Sequence, residues 1–431
     1  MKIRAGVSIQ MLMLCMLGSP QAKALGTDDI LSIYPTAASV QIDPTRITEQ
    51  DLRRIKEAGF EYVRFGVRPA IAAVARKNPD YAGLLAQLHA LQLKPILTLF
   101  GGPDVWGEGQ ANLAGSQKSS QTASQTASQS ASDFAGFALG FMEQHRDPDI
   151  LWELWNEPEI STFLKPGLLR PGLVPSVQQI CSTLQSQPNP QPYKVFGFGF
   201  SKMPRASSSS PYDELLDVSL KTCLSGISIH PYREKPETLL ADFAEVRKVM
   251  SKYEKSNAPV LASEWGYSSF YPTRDQDGQA LLVLREYLSS VFVGLSLLNI
   301  YAWKDAGSNP AAIEDNYGLI SLQGQPKPAL LALQHLLSRL SQTQLVAAKV
   351  NGSDYQLSLG SQAAAKERRT VHVIWNSVAR AGMTYQFARN GAKACVVSQF
   401  FPVQTDAVCP GSADVVELTA GPAPLAVTLY Y

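Results

Sequence analysis

Short apolar runs alternate with longer helical patterns from residue 33 to residue 340, and few architectures accept that order. Eight of the runs have the length and the β-branched or aromatic content of strands. These runs span residues 39–42, 62–67, 95–100, 150–155, 195–200, 226–230, 260–263 and 299–303. Strands that alternate with helices form a parallel sheet, and eight such units close a (β/α)8 barrel. The sequence therefore predicts an α/β fold, with a TIM barrel over residues 25–340.

A doubly wound open sheet is the alternative architecture. It usually carries a glycine-rich phosphate turn after its first strand, and this chain has none. Between the third and fourth candidate strands, residues 116–132 are rich in Ser, Gln, Thr and Ala. We predict that they form a polar loop at the catalytic end of the barrel or a linker, followed by a helix capped by Asp133.

The pattern changes after residue 340, where short strands are separated by turn residues. This pattern predicts a small antiparallel β-sandwich over residues 341–431. Such a domain could bind carbohydrate, or it could be a structural module packed on the barrel.

The first 24 residues have the pattern of a signal peptide. Lys2 and Arg4 are followed by an apolar stretch that ends near Leu17, and Ala22 and Ala24 give a small-x-small cleavage pattern. No later run approaches the roughly 20 apolar residues that span a membrane. We therefore expect an exported protein, periplasmic or secreted, without an integral membrane segment.

Four cysteines remain once the signal segment is removed, and an even number in an exported chain indicates disulfides. The pairs Cys181–Cys223 and Cys395–Cys409 would each stay within one predicted domain. The alternative is four buried free thiols.

Two glutamates stand at the ends of strand-like runs. Glu157 follows Asn156 and precedes Pro158, which restrains its backbone, and Glu264 follows the apolar run at 260–263. A lone glutamate after a strand is usually a solvated loop residue. Two carboxylates at strand ends of one barrel, however, meet at its catalytic face and are what glycosidic bond cleavage needs.

Charge and histidine placement exclude other classes of function. Lys and Arg number 38 against 37 Asp and Glu, so no basic surface indicates nucleic-acid binding. The five histidines are scattered without the spacing of metal ligands. We expect no metal, no cofactor and a neutral carbohydrate as substrate.

The motif Trp-Asn-Glu-Pro at residues 155–158, with Ser-Glu-Trp-Gly at 263–266, resembles the retaining glycoside hydrolases of clan A, in particular families five and thirty-nine. The resemblance covers residues 33–340. It implies that Glu157 is the acid/base, that Glu264 is the nucleophile, and that Asn156 bonds the sugar 2-hydroxyl.

Four further positions match the same pattern. The resemblance implies that Arg64 holds the nucleophile ionised, that His230 and Tyr232 line the site, and that Trp303 floors the sugar subsite. The alternatives are a barrel-wall salt bridge for Arg64, a structural histidine and a core tryptophan.

The sequence thus predicts a retaining β-glycosidase, acting as a monomer on a β-linked poly- or oligosaccharide. A transglycosylase would use the same residues with another acceptor. A catalytically silent polysaccharide-binding protein is the rival from another class, but a relic barrel should have lost some of these residues.

Overall fold

A computed structural model describes residues 36–69, 79–101, 123–187, 193–207, 210–378, 382–409 and 414–431, with only the backbone of 123–132. Eight parallel strands follow one another around a closed barrel, and the first pairs with the eighth. The barrel strands are β1 (Ala37–Gln41), β2 (Tyr62–Val67), β3 (Lys94–Leu99), β4 (Leu151–Leu154), β5 (Lys194–Phe200), β6 (Leu224–Ile229), β7 (Val260–Trp265) and β8 (Leu297–Ile300). The predicted TIM barrel is confirmed.

Eight α-helices lie in the described part of the chain. They are α1 (Glu49–Glu57), α2 (Tyr81–Ala90), α3 (Ala123–Gln144), α4 (Val174–Ser186), α5 (Asp213–Ser219), α6 (Leu239–Lys252), α7 (Gln276–Val293) and α8 (Pro328–Leu340). Local sequence sets their ends: Thr48 and Asp51 form a capping box at α1, and Gly294 ends α7 in the left-handed region with φ 74°. None of the helices described is both long and apolar enough to cross a membrane.

Helix α3 corrects the prediction for residues 116–132. The backbone is already helical at Ala123, so Asp133 lies inside a helix rather than at its cap. Alanine and glutamine favour helix, and the segment extends a helix whose later turns bury Phe134 and Ala138. Low complexity was therefore a poor sign of a loop. The earlier part of the predicted loop, 116–122, lies outside the described residues.

The C-terminal region is an antiparallel β-sandwich. One sheet has six strands in the order β14-β13-β16-β11-β10-β9, and a second sheet pairs β12 with β15. The strands are β9 (Thr343–Asn351), β10 (Asp354–Ser361), β11 (Arg369–Asn376), β12 (Thr384–Ala388), β13 (Ala394–Gln399), β14 (Ala407–Val408), β15 (Val415–Thr419) and β16 (Leu425–Tyr430). Strand β9, which begins soon after α8 ends, was not predicted.

The sandwich packs on the barrel through aromatic side chains and a buried ion pair. Tyr355 stacks on Trp375 with ring centroids 5.0 Å apart, and Phe292 of α7 meets Tyr355 edge to face. Trp375 Nε1 also donates to Glu237 Oε1 at 2.9 Å, and Glu237 is held by Arg285 at 2.6 and 2.7 Å. Barrel and sandwich share one hydrophobic core, which favours the structural reading of the C-terminal domain.

Both predicted cysteine pairs lie at disulfide distance. Cys181 of α4 is 4.9 Å from Cys223 between Cα atoms, and Cys395 is 5.3 Å from Cys409. The first pair lies in the barrel region and the second in the C-terminal sandwich, as predicted.

Candidate active site

The two glutamates are brought to the same end of the barrel. Glu157 follows β4 and Glu264 lies within the end of β7. The chain after β4 turns sharply, with left-handed φ values of 67° at Trp155 and 45° at Glu157. Strand-type bonds hold this turn, because Trp155 N donates to Leu99 O at 2.8 Å and Glu157 N to Phe198 O at 3.1 Å. Strained backbone that neighbouring strands fix in this way is a frequent property of functional sites.

One carboxylate oxygen of Glu157 and one of Glu264 lie within 4.8 Å of each other. Retaining glycosidases hold their carboxyl groups about 5–5.5 Å apart, whereas inverting enzymes need about 6.5–9.5 Å to admit a water. The separation of these two oxygens is below the range that an inverting site needs.

Arg64 of β2 is the electrostatic centre of the site. Its guanidinium donates to Glu264 Oε2 at 3.0 Å, to Asn156 Oδ1 at 2.8 Å, to Glu153 Oε2 at 2.9 Å and to Gln41 Oε1 at 3.0 Å. The arginine is only 2% exposed, so water screens these contacts weakly. Arg64 fixes the position of the Glu264 carboxylate and places a positive charge beside it.

Glu153 of β4 is a buried acid that lies four residues before Glu157 in the chain. It is fully buried and also accepts from Thr98 Oγ1 at 2.6 Å. Burial alone would raise its pKa, but the charges of Arg64 and His230 outweigh burial and lower the pKa of Glu153 to about 2. The lowered pKa of Glu153 keeps it ionised at neutral pH, where its negative charge pairs with Arg64 inside the barrel.

His230 positions Glu157 from the end of β6. Its Nδ1 lies 2.8 Å from Glu157 Oε1, and the ring is buried. Gly199, with φ 60°, packs against the other edge of the ring: a Cβ there would come within 2.7 Å of His230 Nε2. Only glycine leaves room for the histidine in this position.

Three tyrosines lie near the Glu264 carboxylate. Tyr232 donates its hydroxyl to Glu264 Oε1 at 3.0 Å. Desolvation of that hydroxyl and the Glu264 carboxylate raise the pKa of Tyr232 well above its usual value, so it stays a donor. Tyr317 meets both Tyr232 and Tyr301 edge to face.

Trp303 is the one predicted site residue that lies apart from this network. It borders the cavity but is 1% exposed, and its Nε1 donates to Asp51 Oδ1 at 3.1 Å. Strand β8 ends at Ile300, so residue 303 lies in the loop that follows the strand. Tyr301, which sequence reasoning missed, offers its ring to the cavity instead.

Gln41 and Glu314 were also missed. Gln41 bridges Arg64 and Asn299, whose Nδ2 lies 3.4 Å from Gln41 Oε1. Glu314 lines the cavity, and burial together with the Glu264 carboxylate raises its pKa. No local signal identifies either residue, because both reach the site through loop geometry or contacts distant in sequence.

Glu157, His230 and Glu264 stand close enough to hold a cation. Their donor atoms, however, are already engaged with one another and with Tyr232, and Arg64 brings a fixed positive charge 3.0 Å from Glu264. A second cation there would be repelled, so the set suits acid–base and nucleophilic chemistry better than metal binding.

A cavity of about 1300 Å³ opens from Glu264 and Asn156. Its walls come from the ends of β1, β2, β3 and β8, with Phe100 and Phe163 among the apolar contributors. Sites for single small ligands usually measure about 300–1000 Å³. The cavity therefore has room for more than one sugar unit.

A barrel with two such carboxylates at its C-terminal face has the architecture of the clan A glycoside hydrolases, and solved structures share its fold. A family 39 glycoside hydrolase from Bacteroides cellulosilyticus aligns with a TM-score of 0.67 at 18% identity, over 94% of this chain and 82% of that one. A β-xylosidase from Caulobacter crescentus gives 0.56 at 14% identity, over 92% and 96%. A family 30 subfamily 8 xylanase from Clostridium acetobutylicum gives 0.59 at 13%, over 93% and 96%.

These likenesses confirm the expected resemblance at the level of the fold. No family model matches the chain, and no curated protein matches it in sequence.

Proposed function

We propose that this protein is a retaining β-glycosidase that cleaves a β-linked poly- or oligosaccharide outside the cytoplasm. The observation that carries the proposal is the pair Glu157 and Glu264, with carboxylate oxygens within 4.8 Å at the ends of two barrel strands. The fold neighbours support the same class, and the size of the cavity favours a substrate of several sugars.

In the first step, Glu264 attacks the anomeric carbon and Glu157 donates its proton to the leaving oxygen. Arg64 and Tyr232 keep the attacking carboxylate ionised and oriented. The glycosidic C–O bond breaks, a glycosyl–Glu264 ester forms, and the aglycone leaves as an alcohol.

In the second step, Glu157 takes a proton from water, and the water oxygen displaces Glu264 from the sugar. His230 holds Glu157 close to the reacting bond in both steps. Asn156, fixed by Arg64, offers its amide to the sugar 2-hydroxyl, and Tyr301 offers a ring face to the sugar.

Export is proposed from the first 24 residues together with the two cysteine pairs, because disulfides persist in oxidising compartments.

Azide rescue on an aryl β-glycoside separates the two carboxylates. Glu157→Ala should lose its general base, and azide should restore turnover and yield a β-glycosyl azide. Glu264→Ala should lose its nucleophile, and azide should yield the α-anomer.

Glu159→Ala is the matched control, because it removes a neighbouring carboxylate that accepts from backbone N–H groups, including those of Ser201 and Lys202. It should keep activity without azide. The reverse anomers would exchange the two roles, and full activity in both glutamate variants would refute the proposal.

A further inference from the structure

Two arginines line the cavity without a carboxylate partner. Arg68 follows β2 and Arg46 lies in the loop after β1. Among the described residues, no ion pair includes either of them. By contrast, the other two cations of the cavity are neutralised: Arg64 by Glu264 and Lys304 by Asp51. Asp43 lines the same wall, so the described wall near β1 and β2 carries two arginines against one aspartate and keeps a net positive charge.

The position of Arg68 suits a ligand group. Arg68 follows the end of β2 directly and, like Arg64, lines the cavity. Its guanidinium lies 4.5 Å from the centroid of Phe100, which occupies one face of the group. The N–H edge stays available, and that edge matches a carboxylate.

The cavity also lies on a defined side of the scissile bond. It includes Glu264 and Asn156 but neither Glu157 nor His230, which flank the leaving group. Sugars in the cavity are therefore the part that stays on the enzyme when the aglycone leaves. Arg68 lines this cavity after the end of β2 and so stands beside that part of the substrate.

We propose that this cavity selects an acidic glycan, with Arg68 binding the carboxylate of a uronate unit on the glycone side. The proposal rests on the proposed function and departs from the neutral substrate expected from the balanced net charge. Arg46 adds positive charge to the same wall, while its Nη1 contacts Ala306 O at 3.4 Å. Glu314, near Glu264, would repel a carboxylate from the β8 wall and so orients the chain.

Binding tests the proposal without requiring turnover. Oligosaccharides of alginate, glucuronoxylan and hyaluronan would be titrated calorimetrically into the Glu157→Gln protein, each beside its carboxyl-reduced form. We expect at least one acidic form to bind about tenfold or more tightly than its reduced partner, in a manner weakened by salt. Arg68→Gln should abolish that preference. Arg53→Gln removes the same charge from the exposed face of α1 and should preserve it.

Aryl β-glycoside hydrolysis distinguishes this inference from the proposed function. The control variant Arg53→Gln, on the exposed face of α1, should hydrolyse the aryl glycoside at the wild-type rate. If the protein hydrolyses aryl glycosides but binds every acidic and reduced pair equally, the acidic-glycan proposal is wrong and the glycosidase remains. The proposal would also be wrong if Arg68→Gln weakened the binding of the acidic oligosaccharide and of its carboxyl-reduced form by the same factor.

Discussion

Replacing Glu153 by glutamine should make the protein less sensitive to acid. In the folded protein the pKa of Glu153 is lowered to about 2, against an ordinary value of 4.5. Because the folded pKa is depressed, the ionised carboxylate contributes stability above the unfolded pKa, and this contribution disappears as pH falls toward 2. The difference corresponds to about 3 kcal/mol, which the wild type should lose between roughly pH 5 and pH 2.

The variant lacks this titration. At pH 7 Glu153→Gln should be less stable than the wild type by about 3 kcal/mol, since Arg64 loses a buried partner. That deficit should shrink below pH 5, because the unfolded wild-type chain then binds a proton at Glu153 while the folded protein stays ionised until the pH approaches 2. Other acidic groups titrate alike in both proteins and cancel in the comparison.

Urea unfolding followed by tryptophan fluorescence, at half-unit steps from pH 7 to pH 3, gives the two curves. Glu254→Gln is the control, because Glu254 is 87% exposed and pairs only at the surface with Lys221. Its curve should follow the wild type at every pH. A deficit of Glu153→Gln that stayed constant from pH 7 to pH 3 would refute the coupling between Glu153 and Arg64.

Three further outcomes are expected. Arg285→Met should lower the free energy of unfolding by about 3–5 kcal/mol because Glu237 stays buried without its cation, and adding Glu237→Leu should recover much of it; no recovery would contradict the ion-pair explanation. Replacing Cys395 and Cys409 together by serine should cost about 2–4 kcal/mol, and peptide mapping without reduction should find this pair in the wild type. Tyr232→Phe should lower kcat by about tenfold with little change in KM, while a pure KM effect would assign the hydroxyl to substrate binding.

The sequence predicted those parts of the site that depend on strand order. Glu157 and Glu264 follow runs that any eight-unit barrel brings to one face, so their meeting needed only the topology. The partners of Arg64 were not predictable in full, because Gln41 comes from a different strand and its contact depends on side-chain reach. Trp303 was assigned through the family resemblance, and its hydrogen bond to Asp51 was not predictable because the residue lies in the loop after Ile300.

The contact between Trp375 and Glu237 bears on how this architecture could be recombined. Glu237 follows Tyr232 by five residues. A side chain of the sandwich therefore anchors the segment whose Tyr232 hydroxyl donates to Glu264. A chimera with another C-terminal module on this barrel would lose the hydrogen bond from Trp375 to Glu237, even if the new module folded well. The sandwich therefore supports the geometry of the site, and replacing it should lower turnover even where the barrel still folds.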